Sequence, residues 1–275
     1  MNHSRPAALL WTRQVARDAF HQRFAEPYIA RHARAGQFVH LLPGTRHLFR
    51  RALSVYATDA KAGTFDVLHQ VLGEGTRCLS QLKKGQTVDA LGPLGNQFPV
   101  PDSGRRAVLV GGGLGMAPLR LFALELNQKL PKRSPRKNAL ERTPILLLGA
   151  RTGSLAIAPF ELSGIGIRAS WASDDGSRGF HGTVVALLAD QIADGRILPE
   201  QSVVYGCGPE PMMAALANLC AQHQLPCWVS LERSMPCGYG VCMGCVIRSK
   251  TGTGYETFRR VCRDGPVFDS AQIVF

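Results

Sequence analysis

Apolar and polar residues alternate over short spans in the first hundred positions of the chain. "GQFVHLL" (36–42), "RALSVYA" (51–57), "TFDVLHQVL" (64–72) and "QTVDALG" (86–92) each run briefly before Gly, Pro or a polar turn interrupts them. Alternation at that spacing predicts short half-buried strands, and a succession of them predicts a β-barrel or sandwich. "FPVPDSGRR" (98–106) breaks the pattern, and the period then changes. "RAVLVGGG" (106–113) is a continuous apolar run ending in glycines, and "MAPLRLFALELNQKL" (116–130) carries apolar residues at helical spacing. "TPILLLGAR" (143–151) and "GIRASWASDDG" (166–176) predict two more strands. "SVVYGCGPEPMMAALANLCAQH" (202–223) repeats the order of strand, glycine turn and helix. Strands alternating with helices predict a parallel sheet covered on both faces. The pattern therefore divides the chain at 1–101, 102–225 and 226–275. The last piece is too short for an aliphatic core of its own, so something besides packing is expected to hold it together.

Composition changes this picture little. Of 275 residues, 45% are hydrophobic and 19% charged, enough for an ordinary core. The first apolar run, Ala7 to Trp11, is five residues, and no segment approaches the ~20 a membrane span requires. The expectation is a soluble, cytoplasmic protein with no membrane association. Charge raises a second question, because the formal net charge is +12. Lys129, Lys132, Arg133, Arg136, Lys137 and Arg142 stand against Glu141 alone between Asn127 and Arg142. Pro131 and Pro135 mark that stretch as a loop, and it has no aromatic residue to stack on a base. A solvated basic loop explains it better than a nucleic-acid site.

Eight cysteines in a reducing compartment are not expected to pair as disulfides. Cys78, Cys207, Cys220 and Cys227 are scattered and read as free thiols. The others are grouped. Cys237, Cys242 and Cys245 have the spacing C-x4-C-x2-C, and Cys262 follows in "VCRDGPVF". That is the plant-type [2Fe–2S] spacing, in which two tetrahedral irons and two sulfides leave four positions for thiolates. Gly238, Gly240 and Gly244 give the loop the backbone freedom to turn its N–H groups toward sulfur. Zinc is the rival, but structural zinc sites pair C-x2-C knuckles, and here one knuckle stands beside a C-x4-C step.

Two stretches could hold nucleotides. In the β-rich part, Arg51 and Ser54 of "RRALSVY", with Gly73, Gly75 and Thr76 of "VLGEGTRCLSQL", place a cation, a hydroxyl and a glycine turn before a helix. A plain turn and a surface arginine would look the same. In the α/β part, Gly111, Gly112, Gly113 and Gly115 lie between a strand and a helix, and Cys207, Gly208 and Pro209 form a second such turn. The first departs from strict G-x-G-x-x-G and lacks the acidic residue about 20 positions on. Even so, the carboxyl edge of a parallel sheet is where such folds bind nucleotides. Asp174 and Asp175 follow another strand and read equally well as a solvated turn.

In order along the chain, "RRALS", "GEGT", "GPLGNQF", "GGGLGMAPL", "DDGS", "YGCGPEPMM", "SLERSMPCGYGVCMGC" and "VCRDGPVF" resemble the ferredoxin–NADP reductase superfamily. More narrowly they resemble the iron–sulfur flavoprotein electron-transfer subunits of NAD-dependent (B-type) dihydroorotate dehydrogenases. The resemblance implies an antiparallel FAD-binding β-barrel, an α/β pyridine-nucleotide domain with a parallel sheet, and a small C-terminal [2Fe–2S] domain. It implies that Arg51, Ala52, Leu53 and Ser54 hold the flavin, with Gly75 and Thr76 at its pyrophosphate. An aromatic residue often precedes that serine in the superfamily, and Leu53 replaces it here. Gly112, Gly113, Gly115 and Asp174 would face NAD, with Cys207 and Gly208 near its reactive ring. Cys207 is the catalytic candidate. Cys237, Cys242, Cys245 and Cys262 would bind the cluster. The implied partner is an FMN-containing dihydroorotate dehydrogenase subunit, joined in a heterotetramer. The docking surface would draw on Met235, Pro236, Tyr239, Val241, Val267 and Phe268 with Arg233 and Arg263. A stand-alone NAD(P)H reductase serving another redox partner is the alternative, and a zinc-stabilised nucleic-acid binder the remote one.

Overall fold

The computed structural model describes residues 4–44, 49–102, 104–129, 143–156, 162 and 166–275; most of the basic stretch at 127–142 lies outside them. Strands β1 (Ser4–Ala16), β2 (Ala19–Ala25), β3 (Phe38–Leu42), β4 (Arg51–Asp59), β5 (Thr64–Gln70) and β6 (Thr87–Leu94) close into an antiparallel barrel, ordered β1-β2-β5-β4-β3-β6. Alternation sorts each strand between two cores. Val39 and Leu41 of β3 fill the barrel with Val55, Phe65 and Val67, while Phe38 packs in a second core shared with the rest of the protein. Helix α1 (Pro27–His32) starts where Pro27 suits the first turn and the Glu26 carboxylate accepts from Ile29 N–H at 2.6 Å. Helix α2 (Glu74–Ser80) follows β5 through the Gly73 turn.

Six parallel strands form the second unit: β7 (Arg106–Gly112), β8 (Ile145–Ala150), β9 (Ala169–Ser173), β10 (Phe180–His181), β11 (Ser202–Cys207) and β12 (Cys227–Ser230). Their spatial order is β10-β9-β8-β7-β11-β12. The chain moves outward from β7 to one side and returns to its other side with β11. The crevice between the carboxyl ends of β7 and β11 is therefore the switch point of the sheet. Helix α3 (Met116–Lys129) covers one face and also packs on β4 of the barrel. Helices α4 (Val184–Ala193) and α5 (Glu210–Gln222) pack against each other and against other strands of the sheet. Phe98 stacks on Phe122 at the junction, Tyr205 meets both rings edge-on, and the Tyr205 hydroxyl donates to the Pro99 carbonyl at 2.9 Å.

The C-terminal segment supplies β13 (Val246–Ser249), β14 (Phe258–Arg260), helix α6 (Val261–Asp264), β15 (Val267–Asp269) and β16 (Ile273–Val274). Strands β14, β13 and β16 make a small sheet, and β15 adds antiparallel to β12 at the edge of the large one. Both β12 and β15 lie past residue 225, so the large sheet extends into the segment that the sequence pattern set apart. Ile247, Val261, Phe268 and Ile273 share the second core with Phe38, Leu91 and Leu94 of the barrel. Packing does hold this piece, but only by using its neighbours' apolar surface. The motifs "GPLGNQF" and "VCRDGPVF" meet here. Asn96 donates to the Val267 carbonyl at 2.8 Å and accepts from the Val267 N–H at 2.9 Å, and its backbone N–H donates to Gly265 at 2.7 Å.

Candidate functional site

A cleft of about 1060 Å³ runs from the outer wall of the barrel to the switch-point crevice. It reaches the upper limit of ordinary small-molecule clefts, ~300–1,000 Å³, so it has room for a dinucleotide. Arg51, Ala52, Leu53, Ser54, Thr76, Gly112, Gly113, Gly115, Asp174 and Gly208 all line it. Ser54 pairs with Phe38 and Ala52 with His40 across the β3–β4 ladder, which turns these four side chains toward one face.

The two neighbouring arginines have different surroundings. Arg50 is tied to Asp89, its Nη2 2.7 Å from the carboxylate. Arg51 donates to the carbonyls of Phe49 (2.7 Å) and Arg50 (3.3 Å), and among the described residues no carboxylate pairs with it. Its guanidinium packs on Gly75 and is left for an anionic ligand. The Thr76 hydroxyl accepts from the N–H groups of Leu72 and Gly73 and donates to the Gly73 carbonyl. It shapes the turn from within.

Across the cleft, two glycine turns interlock. Gly111 and Cys207 are paired in the β7–β11 ladder, and a Cβ at Gly115 would strike the Cys207 carbonyl. Only glycine permits that approach. Cys207 itself is 1% exposed and sits behind the lining residue Gly208. Burial and the nearby Glu232 push its thiol well above the usual range. Asp174 lines the cleft beside Arg151. Asp175 turns away, its carboxylate accepting from Ser177 N–H and hydroxyl, and those bonds lower its pKa. Arg178 stacks on Trp171 at 4.0 Å.

Several lining residues were not legible in the sequence. Ser230, Leu231 and Glu232 leave β12 directly into the cleft, because Ser230 is paired with Cys207. Glu232 is exposed where it lines the cleft, and the walls beside it strip part of its hydration and raise its pKa. Met235 and Pro236 continue the wall and lead straight into Cys237.

The cysteine loop borders this wall. Cys245 and Cys262 are both buried, with their sulfurs 3.3 Å apart. Cys237 interacts with the Cys242 side chain. Among the described residues no three His, Cys, Asp or Glu groups converge on one ion position. The sulfurs fall instead into two pairs, Cys237 with Cys242 and Cys245 with Cys262. Two thiolates per iron is the demand of a two-iron cluster, so the donor set fits that group. Backbone donors fit it too. Burial pushes the Cys237 thiol up, but the N–H groups of Cys242, Tyr239 and Val241 outweigh it and bring the pKa down to about 6. Cys262 is pushed up to about 12 by burial and by its contact with Cys245. A metal would displace that proton.

Around the loop, Tyr239 (57%), Met243 (44%) and Val241 (75%) are exposed, whereas Val267 and Phe268 are buried in the sheet edge and core. Val267 and Phe268 are therefore not open to the docking expected of them, and Met243 is exposed beside the loop. Arg233 is held by Glu210 at 2.7 Å.

A closed barrel, a switch-point crevice opening into one cleft with it, and a cysteine loop at the cleft wall define an electron-transfer oxidoreductase of the ferredoxin reductase type. Residues 232–274 match the family described as the iron-sulfur cluster binding domain of dihydroorotate dehydrogenase B. The dihydroorotate dehydrogenase B (NAD(+)) electron transfer subunit of Caldanaerobacter subterraneus subsp. tengcongensis is 33% identical over 98% of both chains. The subunit of the same name from Bacillus caldolyticus is 38% identical over 87% of this chain and 86% of its own. Among solved structures, a chain from the NADH-dependent reduced ferredoxin-NADP oxidoreductase, studied for flavin-based electron bifurcation, superposes with a TM-score of 0.80. It is 28% identical, covering 100% of this chain and 91% of that one. The chain belongs to the family of dihydroorotate dehydrogenase B electron transfer subunits.

Proposed function

We propose that this chain carries electrons from an FMN-containing subunit that oxidises dihydroorotate, through a [2Fe–2S] cluster and FAD, to NAD+. One observation carries the reading: the flavin-facing wall of β4, both glycine turns and the segment leading to Cys237 line a single cleft. When bound, FAD exchanges hydride with NAD and single electrons with the cluster, which neither can do with the other. The protein's part is placement. Arg51 supplies a charged fork for the flavin phosphates, while Ala52, Leu53 and Ser54 offer an aliphatic wall and one hydroxyl to its ring. Gly112, Gly113, Gly115 and Gly208 let the backbone approach the NAD pyrophosphate and nicotinamide. Asp174 faces the same ligand, and its charge disfavours a ribose 2′-phosphate. Cys207, behind that surface, supports the turn. Glu232, whose pKa is raised by partial desolvation, is the acid best placed to deliver a proton inside the cleft. Cys237, Cys242, Cys245 and Cys262 hold the cluster, and Tyr239, Val241 and Met243 form the apolar centre of the partner interface. None of the eight cysteines pairs as a disulfide, which suits the reducing cytoplasm.

The test is to express the chain with and without a candidate dihydroorotate-oxidising subunit and to measure NAD+ reduction by dihydroorotate. Activity in the pair, but in neither chain alone, supports the reading. A chain that holds flavin and cluster yet couples to no such subunit would instead serve another redox partner. Cys262→Ser should lower iron content and Cys220→Ser should not.

A further inference from the structure

His40 lies on β3, fully buried, and neither ring nitrogen makes a well-formed hydrogen bond. An aliphatic residue in its place would avoid that desolvation. Of the groups around the ring, three fix its place between the barrel and the cysteine loop. Phe38 meets it edge-on at 5.7 Å, and Ala52 pairs with it across the ladder, so both belong to the flavin-facing wall. The third is Gly238, next in the chain to Cys237. Its φ is +81°, and a Cβ there would fall on the imidazole. Burial first, then the charge of Arg50, holds the ring's pKa down to about 4, against the Met235 carbonyl that faces it. The ring is therefore neutral near pH 7, with one N–H to give. The other two buried histidines have partners within the barrel: His21 bonds Asp66 and His69 bonds Gln22.

We propose that His40 is a positioning residue of the iron–sulfur centre, an outer hydrogen-bond donor supplied from the barrel that raises the centre's reduction potential. The inference rests on reading the four cysteines as cluster ligands. Reduction adds negative charge to a cluster, and N–H donors around its sulfurs favour the reduced form. The ring is pressed on the residue beside Cys237, and the Met235 carbonyl that faces it makes no well-formed hydrogen bond with either nitrogen. It also ties the cluster loop to the wall that carries Ala52 and Ser54.

The experiment uses the holoprotein made with 15N-histidine and reduced chemically. Pulsed EPR of the reduced cluster should show a weakly coupled histidine nitrogen in the wild type and none in His40→Leu. A redox titration should place the His40→Leu cluster at a lower potential than wild type, with His40→Asn, which keeps an N–H, recovering part of the shift. A normal cluster signal without histidine coupling in the wild type overturns the proposal, even if His40→Leu fails to fold. An unchanged potential in His40→Leu with full iron content overturns it too. Absence of any [2Fe–2S] signal in the wild type would instead overturn the cluster assignment on which it depends.

Discussion

Asn96→Ala should loosen the C-terminal segment while leaving the barrel intact. The substitution removes two well-formed bonds to Val267, at 2.8 and 2.9 Å, and a longer one to the Asp264 carbonyl at 3.3 Å. It keeps the backbone bond from Asn96 to Gly265. Each good bond contributes roughly 0.5–1.5 kcal/mol net, and the buried N–H and carbonyl of Val267 are left unpaired. Water reaches Asn96 itself, which limits the loss, so the total is about 2 kcal/mol. At about 1.4 kcal/mol per factor of ten, this corresponds to local opening about 30-fold more frequent. Strand β15 is still paired with β12 at Trp228, Val229 and Ser230, so the opening should be confined to its neighbourhood. Hydrogen exchange followed by mass spectrometry reads this directly. Peptides covering 261–269 should exchange about 30-fold faster, while those of β2 and β5 stay at the wild-type rate. Exchange at 261–269 within about threefold of wild type would refute the clamp, as would an equal rise everywhere.

Arg51→Gln removes a cleft guanidinium that pairs with no carboxylate among the described residues. At about 1.5–3 kcal/mol for a charged hydrogen bond, FAD affinity should fall roughly 10- to 100-fold, measured by flavin fluorescence on titration. Gly115→Ala forces a Cβ onto the Cys207 carbonyl, and overpacking of this kind costs about 1–3 kcal/mol. NADH-driven reduction of an artificial acceptor should fall while the bound FAD content is unchanged; loss of FAD instead would place the damage in the barrel. Glu232 has a folded pKa raised above its ordinary 4.5. Its neutral form favours folding below that pH, and this contribution is lost as pH rises through the folded value. The Tm of Glu232→Gln minus that of wild type should therefore grow with pH from about 4.5 upward. A difference that is constant with pH would show that the carboxyl is not desolvated.

Local chemistry made much of this protein legible before folding. Residue alternation separates β-barrel strands from the buried runs of a parallel sheet, because the two are solvated on different numbers of faces. Cysteine spacing is equally local, since three of the four sulfurs lie within nine residues, whereas the approach of Cys262 to Cys245 came only with the fold. Contacts between distant segments had no such signal. Nothing in "GPLGNQF" announces that Asn96 will read the backbone of Val267, 171 positions away. The sequence could not rank Arg50 against Arg51 either, because their difference lies in Asp89, on another strand of the barrel. Strand β15 looked like part of a separate tail and became the edge of the large sheet, where pairing satisfies its backbone groups. Burial of Cys207, the cleft position of Glu232 and the orphaned ring of His40 were decided at the same level. Each depends on which walls meet around a side chain, and those walls come from segments that only the folded chain brings together.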